Sequence, residues 1–109
     1  MNTINYDDFA KLDIRVATIL SVEPIDNSKK LLKIMVDLGS ETRQILSGLA
    51  HYYKDYSELI GLQVLVLINL EPKEIAGLES QGIILMADNS DKPIQISPVE
   101  PVNNGTQIG

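Results

Sequence analysis

The stretch that decides the fold is residues 69–82, NLEPKEIAGLESQG. It is mainly polar, and it separates two apolar runs, residues 64–68 and 83–87, that have the composition of buried strands. A loop of this length with no secondary structure of its own is uncommon in a compact domain and is usually functional or disordered. We therefore expect these residues to form part of a functional surface.

Short strands and turns surround this loop. Residues 14–22 have the composition of a first strand, and residues 32–38 alternate apolar with polar side chains, as a half-buried second strand does. Gly39 and Ser40 turn the chain into a third strand over residues 42–47, which makes a hairpin. Helical turns are expected near residue 9, capped by Asp7 or Asp8, and before Gly61, capped by Ser57. Prolines break the tail from residue 93 into pieces typical of edge strands.

Five short strands with a helical insert between the third and fourth predict an all-β fold. The best match is a five-stranded OB-fold Greek-key barrel with short helical inserts and a C-terminal extension. The length of 109 residues fits one domain, residues 1–109, with one core. In this fold the ligand surface comprises strands 2 and 3 and the loops that join strands 1–2 and 4–5. Residues 69–82 are the second of these loops.

The basic residues gather on the same predicted surface. The net charge of the chain is −6, yet residues 29–43 have a local balance of +2 and the rest of the chain −8. The simplest interpretation of the basic segment is a solvated strand face. The alternative is a surface that contacts phosphate groups.

Other classes of protein are disfavoured by composition. The chain has one histidine, His51, and no cysteine, so it offers no nucleophile–base pair and no His- or Cys-rich metal site. We expect no catalytic residues, no metal and no cofactor.

No apolar run approaches the roughly 20 residues of a membrane helix, and the N-terminus lacks the features of a signal peptide. A cytoplasmic protein without membrane contact is expected.

At this level of detail the chain resembles a known family, the tRNA-binding domain found at the C-terminus of methionyl-tRNA synthetases and in free-standing relatives such as CsaA. Five segments carry the resemblance, in order and at the spacing of the family: DFAKLDIRV (8–16), KLLKIMVDLG (30–39), RQILSG (43–48), NLEPK (69–73) and GLESQG (77–82).

The resemblance implies an OB-fold barrel that binds tRNA, forms a homodimer through its C-terminal extension (residues 93–109) and recognises the shape of folded tRNA. Together with the basic segment it gives these candidate tRNA-binding residues: Lys29, Lys30, Lys33, Arg43, Asn69, Lys73 and Ser80. For Asn69 and Ser80 the alternative is a structural role at turns, in which the side chain satisfies the backbone. We expect Arg15 to be an ion-pair partner of Asp13 or Asp37.

Two functions from different classes follow. The first is a non-catalytic tRNA-binding module that acts with, or as, the C-terminal domain or β subunit of methionyl-tRNA synthetase. The alternative is a CsaA-like export chaperone, a dimer that binds unfolded polypeptides.

Overall fold

The computed structural model describes residues 1–109, and most of its regular structure consists of short antiparallel strands. One helix, α1 (Tyr6–Ala10), precedes them, and two 3₁₀ helices, Ala50–Tyr52 and Tyr56–Leu59, lie between the third and fourth strands. The strands are β1 (Ile14–Ile25), β2 (Ser28–Asp37), β3 (Thr42–Ser47), β4 (Gln63–Leu67), β5 (Lys73–Ile75), β6 (Leu78–Ser80), β7 (Ile83–Ile84), β8 (Met86–Asn89), β9 (Lys92–Gln95) and β10 (Gln107–Ile108). No helix has the length and hydropathy needed to cross a membrane.

The main sheet has the order β3-β2-β1-β4-β7, and β10 adds to the start of β1. The first part of β1 pairs with β4 and the second part with β2. A bulge between Ile19 and Ser21 separates the two parts. It shifts the alternation of side chains, so Ile19 and Val22 both contact the core and Leu20 is exposed. The long, bent strand β1 therefore pairs with both β4 and β2.

The core lies inside the curved sheet. The apolar residues of β2 form its centre: Leu32, Ile34 and Val36 are fully buried, as their alternation predicts. Val64 and Val66 of β4 and Ile84 of β7 complete the opposite wall. The predicted all-β fold with short helical inserts is confirmed, and its main sheet has six strands, β10 included.

Residues 69–82 differ from the expected irregular loop. They contain a small hairpin, β5–β6, whose turn is formed by Ala76 (φ 52°) and Gly77 (φ 80°). Positive φ at both central residues is the geometry that best joins two antiparallel strands. The expectation of a structureless loop was wrong because strands of three residues are too short to show an alternating pattern.

Two predicted helix caps were also wrong. Asn5 caps α1, since its side chain accepts a hydrogen bond from the backbone N–H of Asp8. Asp55, two residues earlier than the expected Ser57, caps the second 3₁₀ helix. Hydrogen bonds from the hydroxyl and then the backbone N–H of Ser57 to its carboxylate lower the pKa of Asp55. Asn5 and Asp55 each lie immediately before the first residue of the helix that they cap.

The C-terminal extension covers the outside of β1 and β4. Backbone hydrogen bonds join Val16 to Gly105 and Thr106 at 2.7 and 2.9 Å, which leaves Val16 only 1% exposed. The side-chain amide of Gln63 donates to Val102 C=O and accepts from Val102 N–H, much as a neighbouring strand would. The extension is therefore an integral part of the domain.

Candidate nucleic-acid interface

The register of β2 and β3 decides which side chains face outward. Side chains of directly paired residues lie on the same face of a sheet. Lys33 pairs with Leu46, and this pair lies on the outer face. Arg43 pairs with Val36, a fully buried residue, so Arg43 belongs to the inward-facing set and lies at the end of the barrel. The sequence analysis placed Lys33 and Arg43 on one surface. In the structure they lie on different faces of the sheet.

The β5–β6 hairpin is attached to the edge of β3. The hydroxyl of Ser80 accepts a hydrogen bond from Leu46 N–H at 3.1 Å, and the amide of Gln44 donates to Glu79 C=O at 2.9 Å. At its tip, Ala76 C=O accepts from the side-chain amide of Asn27, in the β1–β2 turn, at 3.3 Å. The two ligand-binding loops expected for this fold therefore touch each other.

Three of the candidate lysines have free ammonium groups. Lys29 and Lys30 are exposed at the start of β2, and Lys73 is exposed on β5, and none of the three forms an ion pair or side-chain hydrogen bond. Lys33 differs, because its Nζ lies 3.4 Å from Glu23 Oε2. Lys33 also lines a cleft of about 380 Å³ between the β1–β2 turn and the hairpin tip. The candidate lysines therefore lie on β2 and on the first strand of the hairpin.

Arg43 joins three segments at the barrel end. Its guanidinium pairs with Glu41 and donates hydrogen bonds to Ile68 C=O and, at 3.3 Å, to Gln81 C=O. These carbonyls follow β4 and precede β7, so Arg43 links β3 to both strands. Its charge is compensated and its donors are occupied.

Asn69 and Ser80 both form hydrogen bonds with backbone groups. This is the structural role that was the alternative to tRNA binding for each of them. Asn69 accepts a hydrogen bond from Asp13 N–H at 2.9 Å and donates to Lys11 C=O, which fixes the N-terminal segment against the end of β4. Ser80 is 7% exposed, and its hydroxyl donates to Gly82 C=O at 3.1 Å as well as accepting from β3. In this structure both side chains satisfy the backbone.

The expected ion pair of Arg15 is confirmed with the first of its two candidate partners. Arg15 Nε lies 2.8 Å from Asp13 Oδ1, and Nη2 donates to Oδ2 at 3.2 Å. This hydrogen-bonded contact with a carboxylate raises the pKa of Arg15. The pair stabilises the start of β1 and is separate from the lysines.

Sequence reasoning missed the residues that position the hairpin. Gln44 and Gln81 exchange hydrogen bonds at 2.9 and 3.0 Å, and Asn27 contacts the hairpin tip. Polar residues in a half-buried strand or a turn look like ordinary solvated positions, so no signal in the sequence identified them. No three His, Asp or Glu side chains converge as ligands of a metal ion would.

Both the sequence and the fold of the chain match known proteins. Residues 14–107 match the family model described as "Putative tRNA binding domain". The chain belongs to the tRNA-binding domain family. The family suggested by the sequence motifs is thereby confirmed.

Relatives of this tRNA-binding domain include parts of larger proteins. The chain is 50% identical over 107 residues to a methionine–tRNA ligase of Methanococcoides burtonii, covering 96% of this chain and 16% of the ligase. It is 46% identical over 108 residues to the ligase of Methanoculleus marisnigri, covering 99% of this chain and 16% of that protein. The chain thus spans about one sixth of the length of these relatives.

Two solved structures share the whole fold. A MetRS related protein from Pyrococcus horikoshii superposes with a TM-score of 0.92 at 34% identity, covering 100% of both chains. The chaperone CsaA from Bacillus anthracis gives a TM-score of 0.87 at 25% identity, covering 99% of this chain and 100% of that one. The fold is therefore common to proteins named for both functions considered from the sequence.

We predict that Arg43→Ala lowers the free energy of unfolding by about 2 kcal/mol, because it removes charge-assisted hydrogen bonds and leaves two carbonyls without their donor. Denaturant unfolding followed by circular dichroism measures this. Lys30→Ala is the control, since an exposed unpaired lysine should change stability by less than about 0.5 kcal/mol. Equal stability of the Arg43 variant and the wild type would show that Arg43 is not a structural link.

Proposed function

We propose that this domain binds folded tRNA without catalysing a reaction, and that it acts with, or as a part of, a methionyl-tRNA synthetase in the cytoplasm. The observation that carries the proposal is the placement of free lysines on a domain of the tRNA-binding family. Lys29 and Lys30 lie at the start of β2 and Lys73 at the base of the β5–β6 hairpin. Ammonium groups bind phosphates whatever the base sequence, which suits a general tRNA binder.

Recognition of RNA shape is favoured over stacking of single-stranded bases. Proteins that hold single strands stack successive bases on aromatic side chains. The five aromatic residues of this chain lie in α1 or in and beside the 3₁₀ helices, and none lies on β2, β3 or the hairpin. Phosphate contacts on two separate elements, β2 and the hairpin, instead suit a curved, folded backbone.

Folded tRNA should therefore compete for binding far better than a single-stranded oligonucleotide of equal length. Different tRNAs should compete about equally, since phosphate contacts do not read sequence. A fluorescence anisotropy competition with labelled tRNA measures both comparisons. The proposal fails if the unstructured RNA competes as well as folded tRNA, or if a reduced unfolded protein displaces tRNA at a lower concentration than tRNA itself does.

The affinity should be weak and should depend on salt through the free lysines alone. Three phosphate contacts from Lys29, Lys30 and Lys73 predict a slope of log K against log salt of about −2 to −3, at roughly 0.7–0.9 per contact. Replacing Lys29 and Lys30 together by Ala should reduce the slope by about 1.5. Lys54→Ala, on a linker between the 3₁₀ helices, is the matched control and should leave the slope unchanged. An unchanged slope in the double variant would exclude these two lysines.

We also propose that the domain is a homodimer. Helix α1 contains no buried residue, and Tyr6, Phe9 and Leu12 are 76%, 42% and 42% exposed. They border a groove of about 280 Å³ that also includes Ile14 and Ile108, the latter in the C-terminal extension through which the dimer was expected to form. An exposed apolar cluster of this kind marks an interaction site, and a second subunit would cover it.

Light scattering at micromolar concentration should give a mass twice that of the chain. Phe9→Asp should give the monomer mass, because a carboxylate would be buried in the interface without a partner. Tyr52→Asp, at an equally exposed aromatic residue of the first 3₁₀ helix, should remain a dimer. A wild-type monomer would contradict the proposal directly.

A further inference from the structure

A second cavity, of about 310 Å³, lies between β3, the β5–β6 hairpin and β7. Its walls are aliphatic and include Leu46, Ile75 and Ile84. Leu70 and Ile83, at its rim, are 46% and 45% exposed. Small-ligand sites are concave and mostly apolar, with a few polar groups that fix orientation. This cavity has that composition, and of the lysines proposed above as phosphate contacts only Lys73 lines it.

Three polar side chains line the cavity and have no partner within the chain: Ser47, Glu71 and Lys73. The hydroxyl of Ser47 forms no side-chain hydrogen bond, and neither Glu71 nor Lys73 forms an ion pair. Ser80 also borders the cavity, but both of its hydrogen bonds are made to the backbone. The cavity therefore offers a hydroxyl, a carboxylate and an ammonium group to a ligand.

The aliphatic walls, the carboxylate and the ammonium group of the cavity together best match a nucleobase with its phosphate. A base has two flat apolar faces, which suit aliphatic walls, and N–H groups at its edge, which a carboxylate accepts. Lys73 is also available to the attached phosphate. An apolar peptide side chain would use the walls but would leave the carboxylate without a donor. A phosphate alone would gain nothing from the aliphatic walls.

We propose that this cavity receives one base of a nucleotide extruded from a loop of folded tRNA, with Glu71 accepting hydrogen bonds from the base edge and Lys73 contacting its phosphate. The inference rests on the proposed tRNA-binding function and adds a single-nucleotide contact to it. Extruded loop bases are the part of a folded RNA that proteins read most readily. Ser80 is the positioning residue, because its hydrogen bonds hold the hairpin wall of the cavity against β3.

The test compares two exposed carboxylates on the same segment. Glu71 lines the cavity, whereas Glu74 does not line it and is paired with Glu79 across the hairpin. Glu71→Gln should weaken the binding of bulk tRNA by about tenfold, the loss expected for a good contact to a base edge. Glu74→Gln should bind at least as tightly as the wild type. General electrostatics alone predicts tighter binding for both variants, since each removes a negative charge that repels phosphate.

The outcomes separate the two proposals. A wild-type chain that fails to bind tRNA overturns the proposed function and this inference with it. A wild-type chain that binds, with Glu71→Gln binding equally or more tightly, overturns the nucleotide site alone. Thermal melts of both variants should match the wild type, because both positions are exposed.

A second measurement locates the contact. Bulk tRNA added to isoleucine-methyl-labelled protein should shift the NMR signals of Ile75, Ile83 and Ile84. The signal of Ile19, on the opposite side of the core, should stay in place. If a reduced unfolded protein shifts the same signals and displaces tRNA while Glu71→Gln has no effect, the cavity is a peptide site and the proposal is wrong.

Discussion

Closure of the barrel between β3 and the short strand β7 is the constraint on which the rest of the structure depends. β7 has two residues, Ile83–Ile84, and both pair with β4. The chain closes the gap with one backbone hydrogen bond, from Gln81 N–H to Gln44 C=O, and with side chains: Gln44 N–H donates to the Gln81 side chain, and Arg43 donates to the carbonyls that flank the opening. Gly82 permits the close approach, since a Cβ there would lie 2.7 Å from Leu67 O. A continuous core is possible only with this closure.

The same contacts position the candidate interface. The hairpin emerges from the closing segment and is attached to β3 by Ser80, so the edge that seals the core also orients the surface above it. The consequence is a division of roles among polar residues. Arg43, Asn69 and Ser80 satisfy backbone groups, and the lysines that remain free carry the positive charge of the surface. Stability of the barrel and geometry of the surface are thus coupled through the same few hydrogen bonds.

The sequence predicted the features that depend on local pattern. The alternation in β2 identified the core, the spacing of the motifs identified the family, and an ion pair of Arg15 was expected with Asp13 or Asp37, of which the structure shows Asp13. It could not show that Arg43 faces inward, because that depends on which residue of β2 it pairs with. The role of Asn69 was equally hidden, since its partners are more than fifty residues away in the chain. Contacts set by register or by distant segments leave no local pattern to read.

The charge of the domain explains how such a surface can serve a tRNA-binding protein. The net charge is −6, and carboxylates compensate Lys33 and Arg43, so few cations remain to attract phosphate. Weak binding is sufficient when the site is linked to a second one, because the linked site then acts at an effective concentration in the millimolar range. A synthetase chain or a second copy of the domain would provide that link in the function proposed here. Weak contact also allows rapid release, because affinity differences between related complexes lie mostly in the dissociation rate. In the function proposed here, a module that exchanges one tRNA for the next is therefore better served by three free lysines than by a strongly basic face.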